Sequence, residues 1–186
     1  MRILAIPGSL RRDSHNARLL RHIVEQAPAG VEVELWENLK SIPPYDEDDD
    51  HGPWSRPESL RSLADAVDRA DVVLFSTPEY NHSIPGALKN ALDWLSRPLA
   101  ESPLRNKPVG VFGASTGLFG AVWAQAELRK VLAAMGARVA DRELPVGLAA
   151  EAFTPEGRLA DPDLELVLAD LLAELQGEVA PVQAAA

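Results

Sequence analysis

The sequence predicts an α/β domain built on an open, doubly wound parallel sheet, and three observations carry that prediction. Short apolar runs alternate with stretches of helical periodicity five times along the 186 residues. Every connection between consecutive runs is long enough to force parallel pairing, because parallel neighbours need a crossover of about a dozen residues or more. The first run passes at once into a glycine-containing loop and then a helix, the order found in sheets that hold ligands beyond their carboxyl edge.

Ile3-Leu4-Ala5-Ile6 is a continuous apolar run, as expected of a strand buried on both faces. A helix from about Asn16 to Gln26 carries Leu19, Leu20, Ile23 and Val24 at helical spacing, and Pro28 and Gly30 stop it. Val31 to Leu35 alternates, which predicts a half-exposed edge strand. From Trp36 to Pro57 there is no periodicity, so a long loop is expected, with the acidic run Asp46 to Asp50 solvated and self-repelling. Tyr45 and Trp54 flank that run and are candidates for lining a site mouth.

A second helix, from about Ser59 to Arg69, leads into the strand Val72 to Phe75. Pro85-Gly86 opens a third helix with Ala87, Leu88, Ala91, Leu92 and Leu95 on one face. A proline in the first helical turn forfeits no intrahelical bond. Val109 to Phe112 is the next strand, and a helix from about Phe119 to Met135 ends at Gly136. Arg138 to Leu144 is a weaker fifth strand. Asp161-Pro162-Asp163 caps a last helix ending near Gln176. Residues 1–177 read as one domain, and 178–186, small and featureless, as a disordered tail.

Bulk properties narrow the function. Apolar residues make up 46% and charged residues 25%, the balance of a soluble globular chain. A net charge of −10 argues against nucleic acid as a partner, since the phosphate backbone would be repelled. No apolar run reaches membrane-spanning length and no signal-peptide pattern opens the chain, so a cytoplasmic location away from membranes is expected. The absence of cysteine removes disulfides, thiolate nucleophiles and iron–sulfur clusters.

Three loops should then meet on one sheet edge. The first is Gly8-Ser9-Leu10-Arg11-Arg12-Asp13-Ser14-His15-Asn16, which sets two hydroxyls, two guanidiniums and an amide before a helix N-terminus. Free N–H groups and the helix dipole make such a loop an anion site, and the arginines add charge and a fork of donors. The second is Thr77 to Gly86, with Pro78, Glu79, Tyr80 and Asn81, and the third is Gly113 to Gly120. An anion site, an aromatic wall with amide groups and a glycine-rich wall suit a flat aromatic cofactor with one terminal phosphate. FMN has that shape, and no second site for an adenylate half is evident.

The first loop, together with Pro78-Glu79-Tyr80-Asn81-His82-Ser83-Ile84-Pro85-Gly86 and Leu88-Lys89-Asn90-Ala91-Leu92-Asp93-Trp94-Leu95, resembles the NADPH-dependent FMN reductase family, which includes bacterial chromate, quinone and azo-dye reductases. The resemblance runs from Ile3 to about Gly147, and Pro155-Glu156-Gly157-Arg158-Leu159 is also similar. It implies a flavodoxin-like fold, a five-stranded parallel sheet of order 2-1-3-4-5 with helices on both faces. It implies non-covalent FMN, NADPH or NADH as hydride donor, small-molecule electron acceptors, and a homodimer or homotetramer. By the same resemblance Ser9, Arg11, Ser14, Asn16 and Ala17 hold the phosphate. Pro78, Glu79, Tyr80 and Asn81 wrap the ring, and Ser115, Thr116, Gly117 and Gly120 close the far side. The flavin carries the chemistry, so no protein nucleophile is implied. Two positions depart from the family pattern: Pro7 stands where a small residue is usual, and His82 where a second tyrosine is common.

Competing patterns are weaker. Gly113-Ala114-Ser115-Thr116-Gly117 matches a hydrolase nucleophile elbow, but that fold needs a histidine later in the chain, and His15, His22, His51 and His82 all precede Ser115. A P-loop is excluded because no Gly-Lys-Ser/Thr follows the glycine. A flavodoxin-like electron carrier is the alternative from another class, its acidic surface suiting a basic redox partner. The helices bearing Trp94 and Trp123 are the candidate subunit interface, and Lys89 and Asp93 form an i,i+4 pair supporting their helix.

Overall fold

A computed structural model describes residues 1–52 and 56–183 of the chain, so Trp54 lies outside the described residues. Among these are six strands and five α-helices. The strands are β1 (Arg2–Pro7), β2 (Glu32–Leu35), β3 (Val72–Thr77), β4 (Pro108–Ala114), β5 (Arg138–Val139) and β6 (Leu144–Val146). The helices are α1 (His15–Glu25), α2 (Glu58–Arg69), α3 (Gly86–Leu95), α4 (Val122–Ala134) and α5 (Pro162–Gln183). All pairings are parallel, in the order β2-β1-β3-β4-β5, with β6 also on β4. This is the predicted flavodoxin-like order.

The alternation of side chains along each central strand builds two cores. Leu4, Ile6, Val73 and Phe75 face one way and pack on α2, α3 and α4 through Leu63, Leu88 and Leu128. Ile3, Ala5, Val72 and Leu74 face the other way and pack on α1 and α5 through Leu20, Ile23 and Leu171. Residues apolar at every position are what a sheet covered on both faces requires. At the rim, β2 has one covered face: Val33 and Leu35 lie against the α1–α5 core, while Glu32 and Glu34 are exposed.

Four expectations are corrected. The fifth strand is split into β5 and β6: Ala140 still donates to the Val109 carbonyl of β4 at 2.9 Å, and the chain then leaves the ladder until Leu144. Arg142 in that excursion reaches Asp170 and Glu174 on α5, at 3.3 and 3.5 Å. Helix α4 begins at Val122 rather than Phe119, because Gly120 and Ala121 are both left-handed, at φ 57° and 62°. Helix α5 runs on to Gln183. Its Leu175 is core, and Glu178, expected as tail, lies 3.4 Å from Arg138 of β5. A glycine such as Gly177 costs a helix only about 1 kcal/mol relative to alanine and does not end it.

The long loop after β2 is docked rather than free. Trp36, Leu39 and Ile42 enter the α2–α3–α4 core. The carbonyl of Pro43 accepts from Trp94 Nε1 (3.0 Å) and Asn90 Nδ2 (2.8 Å), and Tyr45 sits edge-on to Trp94 at 4.9 Å. Trp94 is 1% exposed, so it is core and offers no interface. The acidic run is not uniformly solvated: Asp50 takes a two-pronged pair from Arg56 at 3.0 and 3.2 Å, with both side chains nearly buried. The i,i+4 pair of Lys89 and Asp93 forms at 2.6 Å. Among the described residues no helix is long and apolar enough to cross a membrane.

Candidate cofactor site

Strands β1, β3 and β4 end at Pro7, Thr77 and Ala114, and because they are parallel their following loops emerge on one edge. The first loop starts tightly. Gly8 donates to the Ser76 carbonyl at 2.8 Å, and a Cβ at Gly8 would lie 2.9 Å from Leu88 Cδ2. Ser14 caps α1, its Oγ accepting from the amides of Asn16 (3.2 Å) and Ala17 (3.3 Å). Ser9 is half-buried, and its Oγ accepts from the Arg11 amide at 3.3 Å.

Arg11 and Arg12 are exposed, and among the described residues neither makes an ion pair. Two adjacent guanidiniums just before a helix N-terminus, in a chain of net charge −10, suit a phosphate group. The donor set therefore fits the phosphate end of FMN. Burial, and then the charges of Arg11 and Arg18, hold the His15 imidazole below its usual pKa range. An anion placed here relieves that repulsion.

Asn16, expected among the phosphate-holding residues, has its side chain engaged within the sheet. It is 2% exposed, and its carboxamide is spent on the sheet. Nδ2 donates to the Ala114 carbonyl at 2.9 Å, while Oδ1 accepts from the Ala114 amide at 3.0 Å and Ser76 Oγ at 2.7 Å. One side chain thus ties the start of α1 to the ends of β3 and β4. Buried polar groups must be paired, and here the pairs fix the spacing of three loops. Ser76 was missed in the sequence because a serine inside an apolar strand gives no sign of its partner.

The second loop is a tight turn. Tyr80 and Ser83 exchange backbone bonds at 3.0 and 3.1 Å, with Asn81 (φ 53°) and His82 (φ 60°) both left-handed between them. Tyr80 and Asn81 are exposed on this turn, while Pro78 and Glu79 are half-buried. The Glu79 carboxylate turns to the start of α4, where its Oε2 accepts from the Trp123 amide at 3.2 Å and the Ala124 amide at 3.3 Å. A sequence signal for this exists: Phe119-Gly120-Ala121 offers α4 no capping side chain of its own, so an acceptor must come from elsewhere.

The third loop is laced to the segment after β6. Ser115 donates from its amide to the Val146 carbonyl (3.0 Å) and accepts from Ala149 (2.9 Å), and Leu148 donates to the Gly117 carbonyl (3.0 Å). Ser115 Oγ accepts from the Gly117 amide at 3.1 Å. Thr116 and Gly117 are exposed, Ser115 half-buried. Gly120 is buried, and a Cβ there would lie 2.4 Å from the Pro145 carbonyl carbon. Its glycine serves the packing of this loop against β6 rather than the exposed surface.

Similarity to known proteins agrees with this geometry. The sequence model of the NADPH-dependent FMN reductase family matches residues 1–151. An NAD(P)H-dependent FMN reductase of Pseudomonas aeruginosa is 37% identical over 177 residues, covering 95% of this chain and 94% of that protein. A quinone reductase of Escherichia coli K12 is 39% identical over 144 residues, covering 76% and 74%. Among solved structures, the flavoenzyme NAD(P)H:(acceptor) oxidoreductase FerB of Paracoccus denitrificans superposes with a TM-score of 0.76 at 34% identity, over 96% of this chain and 94% of that one.

Proposed function

The chain belongs to the NADPH-dependent FMN reductase family, and on that premise we propose that it is an FMN-dependent NAD(P)H oxidoreductase that passes two electrons to quinone-type and flavin acceptors. One observation carries the reading: three loops on a single parallel-sheet edge, the first bearing an arginine pair just before the N-terminus of α1. When bound, FMN supplies the centre that accepts and then gives up hydride.

The residues of the chain bind and orient. Ser9, Arg11 and the positive end of α1 would hold the phosphate, while Ser14 keeps that helix end in shape by accepting from the Asn16 and Ala17 amides. The exposed turn of Tyr80 and Asn81 would hold the ring from one side, with the half-buried Pro78 and Glu79 supporting it. Ser115, Thr116 and Gly117 form the opposite wall, its backbone held by the Val146 to Ala149 segment. Asn16 and Ala17 act from beneath, Asn16 as a brace through its buried carboxamide and Ala17 as part of the capped helix start. No nucleophile or general base is needed for this chemistry.

An electron carrier without its own nicotinamide turnover is the competing class. The named relatives are reductases, and that weighs toward turnover. Assembly as a homodimer or homotetramer is part of the proposal, with the exposed Trp123 end of α4 as the contact region. The test is spectroscopic. The purified chain is loaded with FMN, desalted, and mixed with NADPH or NADH under nitrogen. Flavin bands that persist and bleach within the turnover time, and that return on adding a benzoquinone, support the reading. Bands that persist without bleaching favour the carrier.

A further inference from the structure

Glu79 lies in the loop that faces the ring, yet its side chain serves α4. The first N–H groups of a helix have no intrahelical partner. The residue preceding α4 is Ala121, left-handed and without a side-chain acceptor. Glu79 Oε2 takes up two of those amides, Trp123 and Ala124, and a carboxylate there also sits at the favourable end of the helix dipole. Its other oxygen, Oε1, is 3.4 Å from Nδ1 of His82.

A second contact runs beside the first. The His82 ring stands edge-on to Trp123 with centroids 4.9 Å apart, and Trp123 stands edge-on to Phe119 at 5.3 Å. The Tyr80–Ser83 turn and the beginning of α4 are therefore joined by a carboxylate and by a row of rings. The turn needs an external hold. Consecutive left-handed residues other than glycine cost energy, and the two backbone bonds between Tyr80 and Ser83 close the turn without fixing its direction.

We propose that Glu79 is a positioning residue: by capping α4 it locks the ring-facing turn to the third loop, so that two walls of the flavin site keep one separation before flavin arrives. The inference rests on the FMN reading above and assigns how the site is held ready. Walls set in advance spare the binding step the ordering of two loops. The flavin-facing group at this position is then backbone, and the carboxylate acts through α4.

The experiment compares the full-length chain with Glu79→Ala, Glu79→Gln and Glu79→Asp. Amide hydrogen exchange is read without flavin, and FMN affinity and release rate are read by flavin fluorescence below the melting temperature. In Glu79→Ala the Trp123 and Ala124 amides should exchange about tenfold faster, in keeping with loss of a cap, and FMN should bind about tenfold more weakly with faster release. Glu79→Gln keeps an acceptor of the same reach and should restore most of both. Glu79→Asp, one methylene shorter, should not. Unchanged exchange in Glu79→Ala overturns the cap, and faster exchange with unchanged FMN release overturns the positioning role. A wild-type chain that takes up no FMN fails the functional reading instead, while the flavin-free exchange still decides whether Glu79 joins the two loops.

Discussion

Replacing Asn16 with alanine separates a structural brace from a ligand. The substitution removes the donor to the Ala114 carbonyl (2.9 Å) and the acceptor used by the Ala114 amide (3.0 Å) and Ser76 Oγ (2.7 Å). The Ser76 hydroxyl can rotate, but the two backbone groups of Ala114 are fixed, and the region is 2% exposed or less. Stranding a buried polar group costs about 1–3 kcal/mol, so the pair places the loss at roughly 2–6 kcal/mol. A mid-range loss of about 4 kcal/mol lowers Tm by about 8–16 °C in a chain of this size. Ser76→Ala removes one bond without stranding a backbone group and should cost about 1 kcal/mol. Thermal and urea unfolding of flavin-free protein, followed by circular dichroism, gives both numbers. If Asn16→Ala loses less than about 1 kcal/mol while FMN affinity drops a hundredfold, the carboxamide is a ligand and the bracing argument is refuted.

Three further outcomes are expected. Arg11→Ala removes a charged donor to the phosphate and should weaken FMN about 10- to 100-fold, and unchanged affinity by fluorescence titration refutes the phosphate assignment. His15 is held below its usual pKa by burial and by Arg11 and Arg18. A bound phosphate raises that pKa, so FMN uptake takes up a proton and affinity falls as pH rises through the bound-state value; His15→Gln should flatten the part of the profile that FMN's own ionisation does not explain. In the flavin-free chain the unfolded state holds that proton more tightly, so His15 lowers stability as pH drops below the ordinary histidine range. Gly120→Ala sets a Cβ 2.4 Å from Pro145 backbone at φ 57°, and a loss of about 3 kcal/mol or more in urea unfolding is expected.

How much was legible in the sequence depended on how local each cause is. β1, β3 and β4 could be read because burial on both faces writes a continuous apolar run. β5 and β6 could not be separated, since their two- and three-residue lengths are set by pairing with β4 and by Arg142 reaching α5. The start of α4 could not be read because the left-handed pair Gly120 and Ala121 precedes it, and Gly120 packs against Pro145, a contact distant in sequence. In the site, residue types pointed to an anion and a flat ring, and the loops do converge. Where each side chain aims was less readable. Asn16 meets Ala114 ninety-eight positions away, and Glu79 meets Trp123 forty-four positions away. Periodicity and spacing do not reach that far.

The rim of the sheet at β2 bears on what a concentrated solution of this chain does. An unpaired strand edge invites another strand to add to it, and chains that do so grow into ribbons. Here the bare face of that edge carries Glu32 and Glu34, with Arg2 near Glu32 at 3.7 Å. A second copy adding edge to edge would bring like carboxylates together and strip their water. Filament growth along the sheet is therefore discouraged by two acidic side chains on a four-residue strand.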